Sequence, residues 1–338
     1  MTRSTGIVRS ALTLTLACAV AAPAAAYLKL GTLVDGRGTL TARWSTTPVR
    51  YFVNDGGAPG VDADEFRAAL GRGLATWQAV PSAAISFEFA GFTSAEPFDG
   101  DGISTFGFRS RSDLERTLAA TEFLVDSTTG EILESDVFFN ASFPWSVASG
   151  GEQGRYDLQS IATHEGGHFI GLGHSALGET ELRPDGGGRR LIAAGAVMFP
   201  IAFSAGDISA RTLRADDIAG VSDIYPNGDF RASTGSLQGT VKKNGQGVFG
   251  AHVIAFNMGT GDLVAGFTLD ASGAFVIAGL AEGTYVVRVE PLDDGDVSGF
   301  FDGSIPVDSD FRATFHQSLV TITRGAASTM ISVAVEPK

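Results

Sequence analysis

The sequence predicts two folded parts of different class, an α+β domain over residues 27–225 and an all-β domain over residues 236–338. Three observations carry this expectation. The chain has 338 residues, and a single core usually stops growing at about 250–300 residues, so two cores are expected. The first part mixes helix-period and strand-period apolar patterns, whereas the second reads as short alternating strands between glycine turns. Forty-four glycines, about twice the usual share of 7%, fit many turns and short strands. With 44% hydrophobic and 9% aromatic residues, the chain has enough apolar surface for packed cores. No fixed-period repeat runs along it.

Residues 1–26 read as a signal peptide. Arg3 and Arg9 precede an apolar run over 11–22, and Ala24-Ala25-Ala26 is the small-residue pattern of a signal peptidase site. The expectation is a secreted or extracellular protein, with the periplasm as an alternative, after cleavage near Ala26. The run is shorter than a membrane span of about 20 residues, and no later apolar stretch reaches that length. The single cysteine, Cys18, lies inside this segment, so the mature chain would have none. A lipid anchor at Cys18 is the rival reading, disfavoured by Thr15 three residues before it.

In the first domain, Pro48-Val49-Arg50-Tyr51-Phe52-Val53 is a β-branched and aromatic run closed by Asn54-Asp55-Gly56, a strand and a turn. Asp62 stands three residues before Glu65 as a capping box. Phe66, Leu70, Leu74 and Trp77 then form one apolar helix face, stopped by Pro81. Residues 85–89, 117–125 and 131–140 read as strands, the last two joined by Ser127-Thr128-Thr129-Gly130. Strand, helix and a meander of strands is an α+β order. Residues 226–235 open with Pro226-Asn227-Gly228-Asp229, a turn-forming and weakly apolar stretch that reads as a linker.

Charge narrows the partners. Lys and Arg number 24 against 38 Asp and Glu, a net charge of −14. Neutralising phosphates needs clustered basic residues and no such run appears, so no nucleic acid partner is expected.

The chemistry concentrates in His164-Glu165-Gly166-Gly167-His168-Phe169-Ile170-Gly171-Leu172-Gly173-His174. Leu158, Ile161, Ala162 and Phe169 place its first part on a helix, where residues four apart are offset by about 40° and about 6 Å. His164 and His168 can therefore reach one ion at the zinc distance of about 2.0–2.1 Å. A straight helix cannot return a residue six positions later to the same ion. Gly171 offers the positive φ that ends the helix abruptly and lets His174 come back as the third ligand. Three histidines leave a fourth position open, as in catalytic rather than structural zinc sites. Glu165 stands where a carboxylate can take a proton from the attacking water. The bland alternative is three core histidines and a solvated glutamate. Five fixed positions match by chance about once in 10⁵ chains of this length. Gly166 and Gly167 each cost up to about 1 kcal/mol in a helix. A small Gly167 would allow close packing under the site; nothing in the sequence accounts for Gly166.

This pattern resembles the metzincin signature. A candidate methionine turn follows in Ala196-Val197-Met198-Phe199-Pro200. Ser175 after His174 and Leu213-Arg214-Ala215-Asp216-Asp217-Ile218-Ala219-Gly220-Val221 resemble the matrixin, or matrix metalloproteinase, branch. The resemblance runs roughly over residues 42–225 and is strong from Thr163 onward. It implies a metzincin-type catalytic domain with a twisted mixed sheet and an active-site helix, holding one catalytic zinc and acting as an endopeptidase on a protein or peptide substrate. The substrate chain would lie along an edge strand near Leu118-Ala119-Ala120. Met198 would support the ligands from below. For Asp216 and Asp217, the helix macrodipole alone explains acidic residues in a first turn. Phe199 leaves no tyrosine just after the turn.

Three departures limit what the resemblance carries. The five histidines are 164, 168, 174, 252 and 316, so none precedes the helix and a histidine-based second zinc has no ligands. Calcium stays open at Asp99, Asp101, Asp126 and Asp136, with a solvated loop as the weightier reading. The 24-residue step from His174 to Met198 holds Arg183-Pro184-Asp185-Gly186-Gly187-Gly188-Arg189-Arg190, a turn-rich insertion where the substrate side-chain pocket should be walled. Latency through a pro-segment cysteine is not expected from a mature chain without one, and residues 27–42 are too few for a folded pro-domain.

The C-terminal part resembles carboxypeptidase regulatory-like domains, which are small transthyretin-like β-sandwiches. The matching residues include Gly239-Thr240-Val241, Gly273-Ala274-Phe275 and Gly283-Thr284-Tyr285. Such a module would bind a surface or substrate or space the enzyme, and His252 and His316 read as ordinary strand residues. The expected function is a secreted zinc endopeptidase. The competing class is a non-enzymatic surface or adhesion protein that binds through the β-sandwich and uses the zinc domain as a scaffold.

Overall fold

The computed structural model describes residues 27–34, 38–184, 189–292, 300–301 and 306–338. The expected signal peptide over 1–26, with Cys18, lies outside the described residues.

Tyr27 to Thr41 enter through a short antiparallel hairpin, β1 (Gly31–Val34) and β2 (Gly38–Thr41). This segment is anchored rather than loose: Leu28 and Leu30 are buried, the Leu28 carbonyl accepts the Gly173 N–H at 2.6 Å, and the Leu30 N–H donates to Gly171 at 2.9 Å. A sheet of five strands follows, in the order β4-β3-β5-β7-β6. Its members are β3 (Val49–Asn54), β4 (Phe87–Thr93), β5 (Thr105–Arg109), β6 (Ala119–Val125) and β7 (Ile132–Asn140). β3, β4, β5 and β7 run parallel, and β6 pairs antiparallel with β7. The meander read from the sequence is thus confined to the β6–β7 hairpin. β5, five residues long, was not foreseen: with Gly107 in its middle it has little pattern of its own, and β3 and β7 on either side define it. β6 lies at the sheet edge with its outer backbone groups turned away from β7.

Helix α1 (Ala63–Gln78) starts at the expected capping box, with the Asp62 carboxylate accepting the Glu65 N–H at 2.8 Å and Glu65 returning to the Asp62 N–H at 3.1 Å. Phe66, Leu70, Leu74 and Trp77 are all buried. Two short strands, β8 (Trp145–Ser146) and β9 (Tyr156–Asp157), lead into α2 (Leu158–Phe169). α1 and α2 pack closely because glycines meet at the crossing. A Cβ on Gly73 would stand 3.0 Å from the Ala162–Thr163 backbone, and one on Gly166 would stand 3.2 Å from both Leu74 and Trp77. That contact is the reason for Gly166 that the sequence did not supply.

The turn-rich insertion after His174 is a β-hairpin, β10 (Gly178–Leu182) paired with β11 (Arg189–Ala194); residues 185–188 at its tip lie outside the described residues. α3 (Ala215–Ile224) closes the first domain. The segment read as a linker is pinned to that domain. Asn227 donates from its N–H to Ser82 and from its side-chain amide to Pro81, and Phe230 is buried within a short helix, α4 (Phe230–Ser233).

The C-terminal part is a sandwich of two sheets. One contains β12 (Gly235–Lys243), β13 (Gln246–Gly247), β16 (Ala274–Leu280) and β20 (Ile331–Val335). The other has β14 (His252–Asn257), β15 (Leu263–Phe267), β17 (Gly283–Glu290), β18 (Thr314–Phe315) and β19 (Val320–Ile322). Leu237, Phe275 and Val333 of the first sheet and Val253, Val287 and Val289 of the second are buried in one cluster, as alternating strands that face each other require. Among the described residues no helix is long and apolar enough to cross a membrane.

Candidate metal centre

The elements around α2 bring the three histidines to one point. Asp157 caps the helix by accepting the Ser160 N–H at 2.8 Å, and Arg211 holds the same carboxylate with two donors at 2.8 and 2.5 Å. At the other end Gly171 has φ +95°. Its N–H donates to His168 and the next N–H, of Leu172, to Gly167, the double closure that ends a helix on a left-handed residue. A side chain at Gly171 would also collide with the Ala42 carbonyl. The chain therefore reverses within two residues and returns His174 to the face that bears His164 and His168.

Ligand nitrogens of His164, His168 and His174 lie within 4.8 Å of one another, the metal-type cluster found among the described residues. His164 is half-buried and the other two are buried. Nδ1 of His164 faces the Val197 carbonyl at 2.7 Å and Nδ1 of His168 faces the Leu172 carbonyl at 2.8 Å. A ring nitrogen against a carbonyl must carry the proton, which leaves Nε2 of each ring as a bare lone pair. Burial lowers the pKa of both residues, His168 furthest because its two neighbouring imidazoles add to the effect. Nε2 of His168 and Nε2 of His174 stand 3.2 Å apart. Two nitrogens on one tetrahedral zinc stand about 3.3 Å apart. Neutral rings whose lone pairs converge at that spacing fit a divalent cation and suit no apolar occupant.

Glu165 is buried against the edge strand, accepting a hydrogen bond from the Thr121 hydroxyl of β6 at 2.7 Å. Burial raises its carboxyl to about 7, opposed by that hydrogen bond. Met198 lies directly beneath the helix, so close that a Cβ on Gly167 would overlap its sulfur and stand 2.9 Å from Trp77. The methionine turn is itself held: the Asp217 carboxylate accepts the N–H groups of Val197, Met198 and Arg214 at 2.9, 3.1 and 2.8 Å. Asp216 accepts the Ser175 hydroxyl at 2.7 Å, and Ser175 N–H donates to the Met198 carbonyl at 2.9 Å. The two aspartates do stand in the first turn of α3, where Asp217 also accepts the Arg214 N–H, but at 1% and 2% exposure they do more than complement the helix dipole. Burial lifts them to about 7 and about 6. Their position beyond the methionine turn was visible in the sequence, but their burial was not. Thr121 had no sequence signal at all.

The histidines and Glu165 open into a cavity of about 660 Å³, within the range of ligand-binding clefts. The 115–120 stretch forms one wall, and the turn over 196–200 forms the other. Leu182, Arg183 and Arg189 of the β10–β11 hairpin also line it, so the insertion does stand at the cleft. Each of the four carboxylates considered for calcium accepts local N–H groups: Asp126 those of Thr128 and Thr129, Asp101 that of Ile103, Asp99 that of Glu96, and Asp136, which lies near Asp101, those of Phe98 and Thr105. Among the described residues they do not form a group of three able to share one ion.

A mixed sheet with an antiparallel edge strand, a histidine-bearing helix ended by glycine and a methionine turn beneath it define a metzincin-type domain. Within that class, residues 43–184 match the family model for matrixin, and residues 236–293 match that for the carboxypeptidase regulatory-like domain. The chain is thus similar to a matrixin over most of its first domain and to a carboxypeptidase regulatory-like domain over part of its β-sandwich. The curated relatives include three named as metalloproteinases or metalloendoproteinases. Metalloendoproteinase 5-MMP of Arabidopsis thaliana is 41% identical over 85 residues, 24% of this chain and 19% of that protein. Matrix metalloproteinase-C of Caenorhabditis elegans is 26% identical over 203 residues, 59% of this chain and 31% of that protein. Metalloendoproteinase 1 of Glycine max is 29% identical over 202 residues, 54% of this chain and 52% of that protein. The chain therefore spans about a fifth to a half of the length of these relatives.

Proposed function

We propose that this protein is an exported zinc endopeptidase. The observation that carries the reading is the convergence of three imidazoles, those of His164 and His168 with Nε2 left as a lone pair, beside a buried carboxylate, in a cleft bounded by the edge strand β6. His164, His168 and His174 would hold zinc, which when bound supplies a Lewis acid for the scissile carbonyl and its attacking water. An extended substrate would pair with the outer backbone groups of β6, which places its carbonyl over the histidines. Glu165 takes the proton from the attacking water as the new carbon–oxygen bond forms. It then passes that proton to the amine nitrogen as the carbon–nitrogen bond breaks. Thr121 fixes the carboxylate rotamer through its hydroxyl. Met198, packed under Gly167, keeps the helix floor rigid.

Export rests on the signal-like segment over 1–26. The test is incubation of purified mature protein with a denatured protein substrate, with and without a zinc chelator, beside Glu165→Ala. Cleavage that the chelator abolishes and the variant lacks while retaining zinc is the expected result. An active Glu165→Ala variant overturns the assignment of the base. No cleavage in either arm favours the scaffold reading.

A further inference from the structure

We propose that the C-terminal β-sandwich braces the third metal ligand, so that Phe300 and Ala265 act as positioning residues for His174. The inference rests on the zinc reading above and assigns the module a role inside the metal centre rather than in remote binding or spacing.

Two contacts join the module to the surroundings of His174, one directly to the loop after α2 and one through Asp216 of α3. The first is apolar. Phe300 is fully buried and its ring meets the His174 imidazole at 6.1 Å between centroids, inclined at 72°. Phe300 in turn rests on Phe267 of β15 at 6.0 Å. Ala176, two residues past His174, is buried in the same cluster as Phe267 and Phe300, and Leu177 packs with Ile254 and Ala265. The second contact is polar. β15 is the outer strand of its sheet, and Ala265 stands opposite Ile254 in the β14 pairing. Both backbone groups of Ala265 are used on the open side. Its N–H donates to Asp216 at 2.8 Å, and its carbonyl accepts the Tyr27 N–H at 2.5 Å. Asp216 is the carboxylate that receives the Ser175 hydroxyl, next to His174. The sheet edge of one module thus terminates on the acid that orients the metal loop of the other. A histidine that reaches a metal from a loop has no helix to fix its ring, so outer contacts must do so.

The test uses full-length protein. Phe300→Leu, Phe300→Ala and, as a control, Val333→Ala, which opens a cavity at a buried site on β20 in the opposite sheet, are compared with wild type. Zinc affinity is read by chelator competition, ligand geometry by the visible absorption of the cobalt-substituted protein, and global stability by melting. Zinc affinity should fall about tenfold in Phe300→Ala and about threefold in Phe300→Leu, with an altered cobalt spectrum in both. Val333→Ala should melt earlier with zinc affinity and spectrum unchanged. Should Phe300→Ala not fold, Phe300→Leu decides. Wild-type affinity and spectrum in the folded Phe300 variants, or an equal loss in Val333→Ala, overturns the brace. A wild-type protein that takes up no zinc overturns the zinc reading instead.

Discussion

Asp217 accepts the backbone N–H of Val197 at 2.9 Å, while the carbonyl of that same Val197 faces Nδ1 of His164 at 2.7 Å. One peptide segment therefore links the acid of α3 to the first histidine of the cluster. Asp217→Ala would leave the buried N–H groups of Val197 and Met198 without their acceptor, and each such orphan costs about 1–3 kcal/mol, while the Arg214 N–H lies near enough to the surface to turn to water. Partial relaxation brings the expected loss to about 3 kcal/mol in denaturant unfolding, with zinc affinity reduced at least tenfold. Wild-type stability and affinity in that variant would show that the methionine turn is held by other means.

Gly167 and Met198 should behave as a coupled pair. A methyl at Gly167 gains about 1 kcal/mol of helix propensity but must displace the Met198 sulfur and Trp77. Overpacking of that kind costs about 1–3 kcal/mol, so Gly167→Ala is expected to be destabilising. Met198→Ala makes room, and the double variant should be more stable than the sum of the two single losses implies. Additive losses in a thermal double-mutant cycle would refute the contact.

Thr121→Val keeps the shape of the β6 side chain and removes the hydroxyl that Glu165 accepts. Thr121 touches Glu165, the proposed base, and follows the 115–120 stretch that lines the cleft. The expected outcome is a kcat about tenfold lower with KM little changed, since a lost hydrogen bond to a charged group is worth about 1.5–3 kcal/mol. A rise in KM at constant kcat would place Thr121 in substrate binding instead.

Asp136 should set part of the pH dependence of folding. Burial raises its carboxyl from 3.8 to about 7, opposed by the Thr105 and Phe98 N–H groups and reinforced by Glu134 and Asp101. The folded value exceeds the unfolded one, so the fold favours the protonated form. Its contribution is fully present below about pH 4 and is lost as pH rises towards 7. Asp136→Asn should therefore flatten the stability profile between pH 4 and 7 in denaturant unfolding. An unchanged slope would assign the dependence elsewhere. Adding calcium at neutral pH separates the two readings of Asp99, Asp101, Asp126 and Asp136. A melting shift present in wild type and absent in Asp136→Asn assigns a cation, and no shift leaves Asp136 as a buried acceptor of the Phe98 and Thr105 N–H groups.

Local signals were legible wherever one short stretch of chain decided the outcome. The Asp62–Glu65 box, the apolar face of α1 and the exit at Gly171 each depend on residues within one or two turns. The histidine spacing was readable for the same reason: helix geometry brings His164 and His168 together, and Gly171 returns His174. The insertion after His174 read as turns because its tip is glycine-rich, whereas the strands flanking that tip pair only with each other.

By itself, the sequence determined which three histidines come together, the carboxylate beside them and the succession of an α+β part and an all-β part. The tertiary structure alone decided what holds them. Thr121 reaches Glu165 across 44 positions, Asp217 reaches Val197 across 20, and Ala265 reaches Asp216 across 49. None of these partners has a periodicity or spacing to announce it, because each is fixed by sheet order and domain docking rather than by local geometry. Burial then changes their chemistry. The same aspartates that would be ordinary first-turn acids in water become, once enclosed, the acceptors on which the metal loop and the methionine turn are hung.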